Sequence, residues 1–159
     1  MKTVKMTTKS ILESYNVIGA CKYDKMDSDD KIKVWKITSA IKAIAEKYDE
    51  AAKDCAERMK KEGFDDRRDK ANVFERMTRS AGFDASKLPI GPAEYMAVLA
   101  EIRQYGKEVD AALKALSEKE ETIKFEPISE DGLKKLMDSN PDFNMAQLAA
   151  LGWIVEKKE

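Results

Sequence analysis

Two stretches of this chain repeat an apolar residue at alternating intervals of three and four. The first runs Val34, Ile37, Ile41, Ile44, Tyr48, Ala51 and Cys55, the second Tyr95, Val98, Ile102, Tyr105, Val109, Ala112 and Leu116. That spacing keeps one stripe of an α-helix apolar, and sustained over seven positions it is the heptad pattern of a coiled-coil seam. Asp27, Ser28, Asp29 and Asp30 open the first helix, with carboxylates at the positive end of its dipole. Arg58, Lys60 and Lys61 close it, ahead of Gly63. Roughly 33 residues at 1.5 Å each make a rod of about 50 Å. Pro92 suits the first turn of the second helix, where its missing N–H would be unpaired in any case. Two seams of equal length and period predict a long antiparallel helical pair, with a helical excursion at about 63–91 at its tip. Ala71, Phe74, Met77 and Ala81 predict a shorter helix over 66–80 inside that excursion.

The period changes at both ends of the chain. Val4 and Met6 alternate with polar residues, as do Ile123 and Phe125 in Thr122–Glu126, before Pro127 ends the run. An isolated strand leaves its backbone unsatisfied, so the two segments are expected to pair, residues 3–6 with 122–126. Thr7, Thr8 or Ser10 can cap the next helix, with Ser10 and Glu13 spaced as a capping box and Ile11, Leu12, Tyr15 and Ile18 on its apolar side. Gly19 or the polar run after Tyr23 would end it. Ser129 caps a short helix that breaks at Asn140-Pro141. Asn144 and Gln147 form a second capping box ahead of Leu148, Leu151, Trp153, Ile154 and Val155. The expected fold is mostly α: the long helical pair, shorter helices and a small two-stranded sheet formed by the N-terminal and C-terminal segments, as one domain over 1–159.

Chemistry is constrained mainly by what is missing. The chain has no His, which removes the commonest general base, the Ser–His and Cys–His nucleophile pairs and imidazole metal sites. There is no Gly-x-Gly-x-x-Gly or Gly-Lys-Ser/Thr phosphate loop, and the Asp27–Asp30 cluster lacks the Gly and the later Glu of a calcium loop. Cys21 and Cys55 have no zinc-knuckle or redox spacing. The start, MKTVKMTTKS, has no apolar core of signal-peptide length, and no window approaches the ~20 apolar residues that span a bilayer. The expectation is a non-enzymatic, cytoplasmic protein with no cofactor, no metal and no membrane contact.

Charged residues make up 37 % of the chain, against roughly 25 % in an average protein, so the surface is where specificity must be sought. The 58–79 segment is rich in Arg and Lys, but acids interleave with them, and residues 57–79 carry eight positives against six negatives. That excess is too small for a nucleic-acid surface. It leaves Arg67, Arg68, Arg76 and Arg79 as candidate anion-binding residues, for a small anionic ligand or nucleotide. Trp35 and Trp153 are most simply core or subdomain-packing residues; the functional alternative makes them partner-binding anchors, since exposed Trp dominates interface energetics. Ile32, Trp35 and Met96 lie off the seams, which predicts self-association or a standing protein partner with Trp35 near the contact.

Taken in order, the features resemble a family of small proteins encoded by tailed phages and prophages. The layout is a short strand and helix carrying Ile11-Leu-Glu-Ser-Tyr-Asn16, a Lys-rich helix with Ile37, Ile41 and Ile44, and long Glu/Lys/Ala-rich helices. A strand of the type Thr122-Ile-Lys-Phe-Glu-Pro-Ile128 and a terminal helix like Ala146-Gln-Leu-Ala-Ala-Leu-Gly-Trp-Ile154 close it. The resemblance implies a phage or prophage setting in a bacterial cytoplasm or virion, with an assembly factor, a minor structural component or a modulator of a host protein as the roles to expect. It carries over no functional residue.

Overall fold

The computed structural model describes residues 1–157 and is mostly α-helical. Its two strands come from opposite ends of the chain. β1 (Lys2–Thr7) runs antiparallel to β2 (Glu120–Phe125), with Val4 opposite Ile123 and Lys2 opposite Phe125. Alternation then buries Ile123 and Phe125 while Thr122 and Lys124 stay exposed. The ladder is extended at both ends. The Thr8 amide and hydroxyl donate to the Lys119 carbonyl at 2.8 and 2.9 Å. The Lys2 ammonium donates to the Trp153 and Val155 carbonyls, each at 2.9 Å.

Among the described residues, six α-helices follow the same order as the sequence signals: α1 (Thr8–Ala20), α2 (Ser28–Arg58), α3 (Phe64–Thr78), α4 (Pro92–Glu118), α5 (Glu130–Ser139) and α6 (Met145–Leu151). Pro92 opens α4, Ser129 caps α5 by accepting from the Gly132 amide, and Asn144 and Gln147 form their capping box on α6. The Ser10–Glu13 box is not used. Because β1 ends at Thr7 and α1 begins at the next residue, Thr7 becomes the cap and accepts from the Ser10 amide at 3.2 Å. Ser10 is thereby drawn inside the first turn. Between α2 and α3, Gly63 adopts φ 74°, a conformation that a side chain would disfavour.

The chain divides into two units: Met1–Ala51 with Ala115–Glu159, and Ala52–Lys114. In the first, one core joins Ile11 and Ile18 of α1, Val34, Ile37 and Ile41 of α2, the two strand residues, Leu136 of α5, and Leu151 and Ile154 at the C-terminal end. In the second, Phe74 and Ala71 of α3 pack with Val98 and Ile90, flanked by Tyr95 and Ile102. The Phe74 and Tyr95 rings stack at 4.4 Å.

This division changes the meaning of the two seams. Leu116 of α4 shares a cavity of about 60 Å³ with Ile44, Tyr48 and Ala51 of α2, and the Tyr105 hydroxyl donates to the Ala56 carbonyl at 2.8 Å. The long helices are therefore neighbours. Ile41 and Ile102, however, belong to different cores. Ile41 is fully buried in the first core, where α1, the sheet and α5 compete for that stretch of α2. Ile102 flanks the second, where α3 covers α4.

Asp30 is the one buried carboxylate among the described residues, and it is held at the start of α5. Its oxygens accept from the Ser129 hydroxyl at 3.0 Å and the Ser129 amide at 3.4 Å, with Lys33 at 3.7 Å. A carboxylate there also faces the positive end of the α5 dipole. The fit leaves no room beside it, since a Cβ at Gly132 would overlap the Asp30 carboxylate.

Two predictions follow from this arrangement. Deleting residues 1–6 removes the partner of β2, so hydrogen-exchange protection of the 121–125 amides falls by at least tenfold; unchanged protection would refute the ladder. Gly132→Ala lowers stability in urea unfolding by about 1–3 kcal/mol through overpacking. Asp30→Ala costs stability too, but the double variant is less destabilised than the sum, because the overlap is gone.

Candidate functional site

The face around Trp35 is built by the end of α1 and the first turns of α2. Burial of Val34, Ile37 and Ile41 fixes the rotation of α2, so Trp35 and Ile32 must point away from the core. They are 68 % and 51 % exposed, which is far from the resting place of an ordinary structural Trp. Beneath Trp35 runs an open groove of about 410 Å³ lined by Ile18, Gly19, Tyr23, Lys31, Val34 and Thr38.

The polar atoms of this groove are largely spent. The Tyr23 hydroxyl donates to the Ile18 carbonyl at 2.5 Å, and burial, with Cys21 alongside, pushes its phenol well above the ordinary range. The Thr38 and Ser39 hydroxyls donate back to the Val34 and Trp35 carbonyls at 2.7 and 3.0 Å. What remains is an apolar surface and the ammonium of Lys31. Gly19 has no atom within 4 Å of where its Cβ would stand, so nothing inside the molecule requires a glycine there.

Trp153 sits in a different setting. It is half-buried, edge-on to Phe125 with ring centres 5.0 Å apart, and its indole N–H donates to the Ser14 hydroxyl at 2.9 Å. Ser14 is itself buried, and its single proton lies between the Ala150 and Ser10 carbonyls at 2.7 and 2.9 Å. The hydrogen-bonding capacity of Trp153 is thus used within the protein, joining α1 to the C-terminal segment.

The arginines of the 58–79 segment are mostly engaged. Arg67 grips Glu101 through two nitrogens at 2.9 and 2.6 Å and also donates to the Glu62 carbonyl at 2.7 Å. Arg68 meets Asp65 at 3.0 Å and lies 5.7 Å from the centre of the Phe64 ring. Arg79 meets Glu75 at 2.6 Å. Arg76 is exposed on the same helix. An anion would have to displace carboxylates from three of the four.

Among the described residues, no three His, Cys, Asp or Glu side chains gather so as to hold a metal ion, and no helix is long and apolar enough to cross a membrane. Compared with known protein families, curated proteins and solved structures, the chain matches none of them.

The off-seam position of Trp35 was legible in the sequence, which read the residue most simply as packing; the structure leaves it exposed. The groove beneath it was not legible. Gly19 reads as a helix stop and Tyr23 as the residue before a polar run, and only folding brings both against α2.

The Arg67 pairing has a measurable consequence. The hydrogen bond from Arg67, helped by its charge, holds the Glu101 carboxyl below the ordinary glutamate value of about 4.3. A depressed folded-state value means that the pair's contribution is complete above that ordinary pH and is lost as pH falls through the folded one. In a carboxyl NMR titration Glu101 titrates below that reference, and Arg67→Ala returns it to the ordinary range. An unshifted Glu101 would show that Arg67 is free for another anion.

Proposed function

We propose that this protein is a non-enzymatic interaction protein that engages a protein partner through the Trp35 face. The observation that carries this reading is Trp35 itself, two-thirds exposed beside Ile32 and above an apolar groove. Holding a large aromatic in water forgoes the stabilisation of burying it, and buried aromatic anchors carry most of the energy of protein interfaces. The non-enzymatic half of the reading rests on the sequence, which lacks His and phosphate-binding loops. Its resemblance to small phage and prophage proteins supplies the setting. The roles in view are an assembly factor, a minor structural component or a modulator of a host protein.

The test separates stability from binding. Trp35→Ala leaves the urea-unfolding free energy within about 0.5 kcal/mol, as for a surface position with no special contact. The same variant loses at least tenfold of the partner captured by the native protein from phage-carrying cells. A melting temperature lowered by many degrees would make Trp35 a structural residue, and undiminished capture would move the interface elsewhere.

A further inference from the structure

We propose that the occupant of the Trp35 groove is an acidic amphipathic segment of another protein: a bulky apolar side chain flanked by carboxylates. This rests on the reading of Trp35 as the contact and adds the chemistry of what it contacts.

The argument is one of charge. From Lys31 to Ala45, α2 carries four lysines and no carboxylate, although acids and bases are nearly balanced over the whole chain. Within that stretch, the charged side chains on the exposed stripe that holds Ile32, Trp35 and Ser39 are Lys31 and Lys42, and Glu46 follows on the next turn. Lys31 lines the groove and has no ion-pair partner among the described residues. Lys42 reaches Glu46 at 3.6 Å, with both side chains more than half exposed, an attachment that water and salt weaken. The other two lysines face off this stripe, Lys33 toward Asp30 at 3.7 Å and Lys36 toward Glu126 at 3.6 Å. Of the nearby carboxylates, Asp30 is buried against α5, Glu126 pairs with Lys36, Glu46 with Lys42 and Asp27 with Lys135, while Asp24 and Asp29 stand exposed ahead of Lys31.

An apolar groove lined by Lys31, with Lys42 farther along the same stripe, favours an apolar anchor with negative charge on either side. Lys31 and Lys42 are 11 residues apart, roughly 16 Å along the helix at 1.5 Å per residue. The matching partner places its acids about that far apart, as a three-turn helix does, with the anchor midway. The bare backbone at Gly19 lets such an anchor approach α1 closely. A second copy of the chain is disfavoured, because a two-fold contact would set this lysine stripe against itself.

The experiment selects from a random 16-residue peptide library on the full-length protein, with counter-selection on Trp35→Ala. The expected peptides have a bulky apolar centre and flanking Asp or Glu. They bind at least tenfold more weakly to Lys31→Glu/Lys42→Glu, and their affinity falls as salt is raised. Neutral or basic peptides that still require Trp35 would overturn the charge proposal and leave the interface standing. Failure to enrich any Trp35-dependent peptide would remove both. Trp35-dependent dimerisation in sedimentation, or Trp35-dependent binding to phosphatidylglycerol vesicles without such peptides, would overturn it in favour of a second copy or a lipid surface.

Discussion

The six-residue ladder between β1 and β2 joins segments more than a hundred positions apart, and the first unit depends on it. Neither strand can stand alone, since each leaves half its backbone groups to be met by the other. Closing so long a loop costs conformational entropy, but that cost grows only slowly with length. It is offset by what the ladder brings in: Ile123 and Phe125 against α1 and α2, and Lys2 reaching the carbonyls of the C-terminal segment. Thr7 and Thr8 place the turn into α1 at the ladder's end, so the same residues that finish the strand orient the helix.

Local signals were legible where one interaction decides the outcome. Pro92 at a helix start, Ser129 and Asn144 as caps, and the strict alternation of Ile123 and Phe125 each have a single stable use. The seams were legible as a pair of long helices but not in everything that covers them. An apolar stripe says that something must cover it and leaves open what does, and here the covers of Ile41 and Ile102 are different elements. The buried polar residues were not legible at all. Ser14 and Asp30 carry no hydrophobic signal, and their burial is possible only because distant groups, Trp153 and Ser129, satisfy them.

The surface shows a related division. Around α3 the charges are mixed and close on one another, so its arginines work as internal ties to Glu101, Asp65 and Glu75. From Lys31 to Ala45 the charges of α2 are of one sign and stand beside uncovered apolar surface. A high charged fraction is uninformative by itself; its segregation next to Trp35 is what distinguishes one face of the molecule from the rest.

The two tryptophans report on different events. Trp153 is clamped between Phe125 and Ser14, so its emission follows the integrity of the joint between α1 and the C-terminal segment. Trp35 stands largely in water, open to a soluble quencher that reaches Trp153 far less. The molecule therefore carries a pair of optical probes in its native chain, one reading whether the fold is intact and the other whether the groove is occupied.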